Sequence, residues 1–200
     1  MKTAYDPAAK FELKVSEVEF RRTPAGRQLM ARVYQPQGSG PFPTVLDLHG
    51  GAWRRKDRLA EEPMDRAIAG SGVLVVAIDL RLSDEAPYPA SVQDANYGVR
   101  WLKSKAAEWN GDPSKLGVYG SSSGGHVAQL LGMRPRDTRY NAIPFQPQAL
   151  IYARNPGLSR QFGPRCGTFS LMMNHGVVTE SEGRRRVRSP QEKRNRREKR

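Results

Sequence analysis

The chain has little of what several classes of protein require. Its 200 residues include one cysteine, Cys166, and three histidines. One cysteine excludes an internal disulfide and fits a reducing compartment. Scattered histidines and a lone cysteine offer no metal-ligand spacing, so we expect neither a metal site nor a cofactor. No P-loop or dinucleotide-binding signature is present.

Long hydrophobic runs are also missing. No stretch of eighteen apolar residues occurs, so the sequence predicts no membrane-spanning helix and no membrane partner. The start, MKTAYDPAAKFELKV, lacks the apolar centre of a secretory signal. We therefore expect a cytoplasmic protein.

Positive charge is abundant, but it is concentrated at one end. The formal net charge is +13, and residues 184–200 hold ten Lys or Arg and two Glu, a net of +8. The other 183 residues keep 23 of the 33 basic and 18 of the 20 acidic side chains, a net of only +5. Such a block is typical of a solvated tail. It has no interleaved aromatic residues for base stacking, so nucleic acid is not the expected partner.

Strands and helices alternate along the first three quarters of the chain. Extended segments are predicted within residues 11–37, at 44–48, 72–80 and 115–119, and again at 148–153, with helices near 64–70, 91–106 and 123–133. Ser91 and Asp94 have the spacing of a capping box at the second helix. This alternation predicts an α/β fold, with a mostly parallel sheet between helices. We assign residues 1–155 to this core and residues 156–200 to an irregular, basic, disordered tail.

The stretch GSSSGG carries the clearest chemical signal. Gly120 and Gly124 flank Ser122 in the pattern G-x-S-x-G, between a predicted strand and a predicted helix. A serine on such a sharp turn needs small residues two positions to each side, and the turn exposes its hydroxyl. The backbone N–H of Ser123, at the start of the helix, could stabilise an oxyanion. The alternative is a glycine-rich turn whose serines only cap the helix.

A second glycine pair follows the third predicted strand. The segment LDLHGGAW places Gly50 and Gly51 where backbone N–H groups could supply a further oxyanion donor. His49, which precedes them, is predicted to support this loop by hydrogen bonding. The two elements occur in the order that a serine hydrolase requires, which argues against two unrelated turns.

These segments resemble the α/β-hydrolases, specifically the esterases and lipases related to hormone-sensitive lipase and to the feruloyl-esterase-like group. The resemblance covers roughly residues 17–135. It includes the phrase D-x-R-L and, before a helix, P-A-x-x-x-D; their residues here are Asp79, Arg81, Leu82, Pro89, Ala90 and Asp94. The resemblance implies the α/β-hydrolase fold without its last strands, a small-molecule ester as substrate, Ser122 as nucleophile, and Gly50, Gly51 and Ser123 as oxyanion donors. His126 is expected to pack locally, and Trp53 and Tyr88 to line the mouth of the site or simply to pack.

The residues that should complete a catalytic triad are not recognisable. In this fold the order is Ser, then Asp or Glu, then His. After Ser122, Asp137 precedes the next predicted strand and His175 follows no recognisable one. Three explanations stay open: a truncated or frame-shifted end beginning near residues 145–160, a variant with a repurposed tail, or an unusual role for His175. The predicted function is serine-dependent ester hydrolysis; the alternatives are an inactive hydrolase homologue and a non-enzymatic protein whose basic tail binds acidic partners. The oligomeric state is not predicted.

Overall fold

The computed structural model describes residues 8, 10–145, 170–173 and 176–179. Its strands are β1 (Leu13–Arg22), β2 (Gln28–Pro36), β3 (Phe42–Leu48), β4 (Leu74–Ile78), β5 (Gly111–Gly120), β6 (Ser170–Met173) and β7 (Gly176–Thr179). Its helices are α1 (Glu62–Gly70), α2 (Ala90–Lys105), α3 (Ser123–Met133) and a 3₁₀ helix at Ala106–Trp109. The predicted alternation of strands and helices is confirmed over residues 11–133.

The seven strands form one sheet in the order β1-β2-β4-β3-β5-β6-β7. Strands β4, β3, β5 and β6 run parallel, while β1, β2 and β7 pair antiparallel at the two ends. All five residues of β4 are buried and apolar, as expected for an inner strand that is covered on both faces. The predicted α/β sheet between helices is therefore present, with its parallel part at the centre.

Helices cover the two faces of the sheet. On one face, α2 and α3 pack over the larger apolar core, and α2 approaches β4 so closely that a Cβ on Gly98 would lie 2.7 Å from Ile78 Cδ1. On the other face, α1 covers a smaller core around Tyr34 and Tyr119. The predicted amphipathic stripe of α2 is confirmed by the burial of Val92, Ala95, Val99 and Leu102.

One detail differs from the prediction. The predicted capping box is wrong, because α2 begins at Ala90 after Pro89 and has no side-chain cap. Asp94 instead accepts hydrogen bonds from the backbone N–H and guanidinium of Arg81. Strands β6 and β7 lie within residues 156–200, the segment in which the sequence shows no pattern of strands or helices. Four-residue strands are too short to display alternation in the sequence.

The remaining predictions for the end of the chain lie outside the described residues. These are the strand at 148–153, His175 and the basic block at 184–200. Within the described ranges, no helix has the length and apolar character needed to cross a membrane.

Candidate active site

Ser122 lies at the sharp turn between β5 and α3, and its backbone is strained. Its φ of 48° and ψ of −116° fall in a region that residues with a side chain rarely adopt. The side chain is exposed to solvent, whereas Ser123 after it is buried. This is the conformation predicted from G-x-S-x-G, with the hydroxyl at the carboxyl edge of the sheet.

The glycines flanking Ser122 are required by close backbone contacts. A Cβ on Gly120 would lie 2.5 Å from the carbonyl carbon of Gly124. A Cβ on Gly124 would lie 1.9 Å from the carbonyl oxygen of Leu48, far inside contact distance. The turn therefore packs against the end of β3 without room for a methyl group at either position.

The register of the sheet brings the two glycine motifs together. Leu48, the last residue of β3, pairs with Gly120, the last residue of β5. The chain segments that leave these parallel strands consequently start side by side, and a Cβ on Gly50 would lie 3.5 Å from the Cβ of Ser122. Outside the carboxyl ends of such strands is where open α/β sheets bind their ligands.

Backbone N–H groups are available next to Ser122. Among the described residues, those of Gly50, Gly51 and Ser123 donate no hydrogen bond, whereas Gly124 N–H donates to Ser121 O at 2.7 Å. Ser123 is also the first residue of an eleven-residue helix, where the helix dipole favours negative charge. Ser123 N–H, adjacent to Ser122, is thus an unused donor at a helix N-terminus within the described part of the chain.

His49 supports the loop of Gly50 and Gly51 through hydrogen bonds. Its Nδ1 lies 2.7 Å from Gly50 O, and Leu80 N–H donates to its Nε2 at 3.3 Å. Because Nε2 accepts that bond, Nδ1 carries the proton and donates to the loop carbonyl. Burial lowers the pKa of His49, which favours this neutral form. The contacts match the supporting role predicted for His49.

Buried ion pairs lie beneath the candidate site. They involve Asp79, Arg81 and Asp94, which belong to the phrases D-x-R-L and P-A-x-x-x-D. The carboxylate of Asp94 is fully buried and lies 2.8 Å from Arg81 Nε, and Arg21 binds the same carboxylate. Asp79 accepts hydrogen bonds from the N–H of Met30 and from the backbone and guanidinium of Arg58. These contacts fix the segment that follows β4.

Neither described histidine contacts Ser122 as a base would. The only described histidine after Ser122, the exposed His126, packs edge-on against Trp53 with ring centroids 5.7 Å apart, as expected for local packing. Asp137 pairs with Arg139 at 2.6 Å in a turn after α3, which fits the view that it is not the triad acid. Within the described ranges there is accordingly no Ser–His–acid arrangement.

An acidic cluster behind the turn was missed by the sequence reasoning. The hydroxyl of Ser121, adjacent to Ser122, donates to Glu61 at the start of α1. Asp47 and Asp65 are buried nearby, and no oxygen of either carboxyl group has a hydrogen-bond partner among the described residues. Burial raises the pKa of Asp65 to about 7, with further increases from Glu61 and Glu62, and burial also raises the pKa of Asp47 well above its ordinary value. The only indication of this cluster in the sequence was Asp47, a charged residue within the predicted strand TVLDL.

A cavity of about 360 Å³ adjoins the turn. It lies between the loop after β3, the segment after β4 and one face of α3, and both Trp53 and Tyr88 line it. The expectation that these two aromatic residues border the mouth of the site agrees with this position. Both are about half exposed, at 47% and 57%, so they are available to a ligand. Among the described residues no group of three or more His, Cys, Asp or Glu is arranged to hold a metal ion.

Comparison with known proteins agrees with this geometry. The family model BD-FAE matches residues 32–152. Over 117 residues the chain is 38% identical to carboxylesterase NlhH of Mycobacterium tuberculosis, covering 58% of this chain and 37% of the relative. It is 28% identical over 157 residues to an arylesterase of Saccharolobus solfataricus, covering 75% and 50%.

Solved esterase structures share the fold. Esterase Est22 has a TM-score of 0.57 and 27% identity, covering 63% of this chain and 40% of that one. Thermogutta terrifontis esterase 2 phosphorylated by paraoxon has a TM-score of 0.53 and 25% identity, covering 58% and 46%. The chain thus has the α/β-hydrolase fold of the esterase type, but it spans less than two fifths of the length of NlhH.

Proposed function

The chain belongs to the BD-FAE family of α/β-hydrolases, and on that premise we propose that it hydrolyses small carboxylic esters through an acyl-enzyme on Ser122. The observation that carries the proposal is the position of Gly50 against Ser122, with a strained backbone at the serine and unpaired N–H groups around it. The named activities of the relatives, carboxylesterase and arylesterase, point to the same reaction.

In the proposed mechanism the Ser122 oxygen attacks the ester carbonyl carbon, and the carbonyl oxygen becomes an oxyanion. The N–H groups of Gly50, Gly51 and Ser123 stabilise this charge while the Ser122 hydroxyl gives its proton to solvent. Collapse of the intermediate breaks the bond from the carbonyl carbon to the alkoxy oxygen, and the departing alkoxide takes a proton from solvent to leave as the alcohol. Water then attacks the acyl-serine and releases the acid. Losing one such donor typically lowers kcat by about 10²–10³. The proposal assigns the nucleophile and the oxyanion donors; it assigns no base, because no described histidine contacts Ser122.

Covalent labelling tests the nucleophile independently of full turnover. We expect paraoxon, which phosphorylates the Thermogutta esterase, or a fluorophosphonate probe to form one adduct, located on Ser122 by peptide mass spectrometry. Ser122→Ala should lose the adduct, whereas Ser121→Ala should keep it. Absence of labelling in a folded protein would contradict the proposal.

Turnover is measured with 4-nitrophenyl butyrate. In well-studied serine proteases, oxyanion stabilisation and binding alone give about 10³–10⁴ over water even without the serine, so Ser122→Ala measures the background that does not depend on the nucleophile. We expect hydrolysis by the wild-type chain to exceed that of Ser122→Ala. Equal rates in the two proteins, despite labelling, would show a reactive serine that does not turn over esters.

A further inference from the structure

The cavity lies beside the proposed reaction centre, and its lining begins one helical turn along α3 from Ser122. The N–H of His126, which lines the cavity, donates to Ser122 O at 3.2 Å. Ala52 and Trp53, which also line the cavity, follow Gly51 in the loop after β3. A group bound in the cavity would therefore belong to a substrate whose ester bond lies at Ser122.

The size and lining of the cavity favour a compact apolar or aromatic group. Its volume of about 360 Å³ is at the lower end of the range for small-molecule sites. Trp53 and Tyr88 offer aromatic faces, and Val92, Val127 and Leu130 add aliphatic surface. The lining would leave a long acyl chain only partly covered.

The charge of the lining is one-sided. It contains Arg54, Arg81 and His126, but no Asp or Glu. The Arg81 guanidinium is occupied by Asp94 and by the carbonyl oxygen of Ala90. Arg54, by contrast, forms no ion pair within the described part of the chain.

Acidic residues near the cavity do not offset Arg54. On the segment after β4, Glu85 pairs with Arg27, and the exposed Asp84 does not line the cavity. On the loop after β3, Asp57 accepts a hydrogen bond from Leu59 N–H. The cavity thus presents one uncompensated guanidinium at the edge of an apolar surface.

We infer that this cavity selects esters carrying an anionic group, such as a carboxylate, at the end of a short apolar or aromatic segment, with Arg54 binding the anion. This inference rests on the proposed esterase function and names its substrate class. A guanidinium recognises a carboxylate by paired N–H donors, while the aromatic residues cover the segment between anion and ester bond.

The first experiment compares matched substrates. Mono-4-nitrophenyl glutarate and 4-nitrophenyl butyrate share the reacting bond and leaving group and differ mainly by a terminal carboxylate. We expect Arg54→Gln to lower kcat/KM for the glutarate about 5-fold, which corresponds to about 1 kcal/mol for a partly exposed ion pair, and to change butyrate less than 2-fold. The matched control is Arg55→Gln, because Arg55 is the next residue, is exposed, and does not line the cavity.

A second pair of substrates identifies the side of the ester that occupies the cavity. 4-Carboxyphenyl butyrate carries the anion on the alcohol part, and phenyl butyrate lacks it. An Arg54-dependent preference for either anionic ester supports the inference. An equal effect of Arg54→Gln on charged and neutral esters, or equal effects of Arg54→Gln and Arg55→Gln, would overturn it.

Binding without turnover separates this inference from the proposed function. Glutaranilic acid and butyranilide are amide analogues of the aryl esters and differ in the same carboxylate. Calorimetry should show tighter binding of glutaranilic acid, weakened about 5-fold by Arg54→Gln and reduced by added salt. Such binding in a chain without esterase activity would contradict only the proposed function. Ester hydrolysis with no Arg54-dependent preference would contradict only the substrate class.

Discussion

The buried carboxyl group of Asp65 makes a quantitative prediction about stability and pH. Its side chain is fully buried on the inner face of α1, neither oxygen has a hydrogen-bond partner in the described part of the chain, and its pKa is raised from 3.8 to about 7. In the unfolded chain the carboxyl group loses its proton near its ordinary pKa, whereas in the folded chain it retains the proton until about pH 7. The unfolded state therefore binds fewer protons in this range, and the free energy of unfolding falls as pH rises.

The perturbation is Asp65→Asn, which removes the titration and nearly preserves the shape. Between pH 4.5 and 7 the folded wild-type chain keeps one proton that the unfolded chain has lost, at about 1.4 kcal/mol per pH unit. The free energy of unfolding of Asp65→Asn, measured relative to wild type, should therefore rise by about 3 kcal/mol across this range. Near about pH 3, where the carboxyl group is mostly protonated in both the folded and the unfolded chain, the two proteins should differ little.

Equilibrium urea unfolding, followed by tryptophan fluorescence at several pH values, measures this difference. The control is Asp84→Asn, because Asp84 is exposed; its unfolding free energy should follow that of wild type at every pH. Parallel curves for wild type and Asp65→Asn between pH 4.5 and 7.5 would refute the reasoning. That result would mean that the carboxyl group ionises in the folded protein without a penalty.

Three further substitutions test the turn and the ion pairs beneath it. Ser122→Gly should be about 1 kcal/mol more stable than Ser122→Ala in urea unfolding, because glycine relieves about 1–3 kcal/mol of backbone strain but adds about 0.5–1 kcal/mol of unfolded-state entropy; an Ala variant of equal stability would contradict the strain. Gly124→Ala should abolish phosphonate labelling of Ser122 and lower the melting temperature, whereas Gly70→Ala, where a Cβ meets nothing within 4 Å, should do neither; unchanged labelling in Gly124→Ala would contradict the contact. Asp94→Ala should destabilise the chain by about 3–5 kcal/mol, because it leaves a buried guanidinium unpaired; Asp137→Ala, which removes only a solvent-screened pair with Arg139, should cost far less in the same urea assay.

Local patterns in the sequence predicted most of the elements that the structure contains. The helix predicted at 123–133 has those bounds, and the apolar run at 72–80 contains β4. Both predictions rest on local patterns, because the apolar stripe of a helix and the apolar run of a buried strand are formed by residues that are close in sequence. The capping-box prediction was wrong because an aspartate three residues after Ser91 can also pair with a residue elsewhere in the fold. In the structure Asp94 is buried and pairs with Arg81.

The acid and base of a catalytic triad could not be predicted from local patterns in this sequence. Its acid and base would come from loops far along the chain, and no short phrase marks them here. The described residues include Ser122, Gly50 and Gly51, and their assignment to catalysis stays a prediction until labelling tests it. The predicted division at residue 155 is likewise untested.

The sequence by itself determined the turn at Ser122, because glycines two positions away permit a backbone that other residues exclude. It also determined the neighbouring loop of Gly50 and Gly51. Tertiary structure alone decided that these two motifs meet, through the pairing of Leu48 with Gly120 across parallel strands. It also decided that Asp65 is buried with no hydrogen-bond partner among the residues that the structure describes, since its environment depends on how α1 packs against the sheet. Residues far apart in sequence share an environment only after the strands have paired.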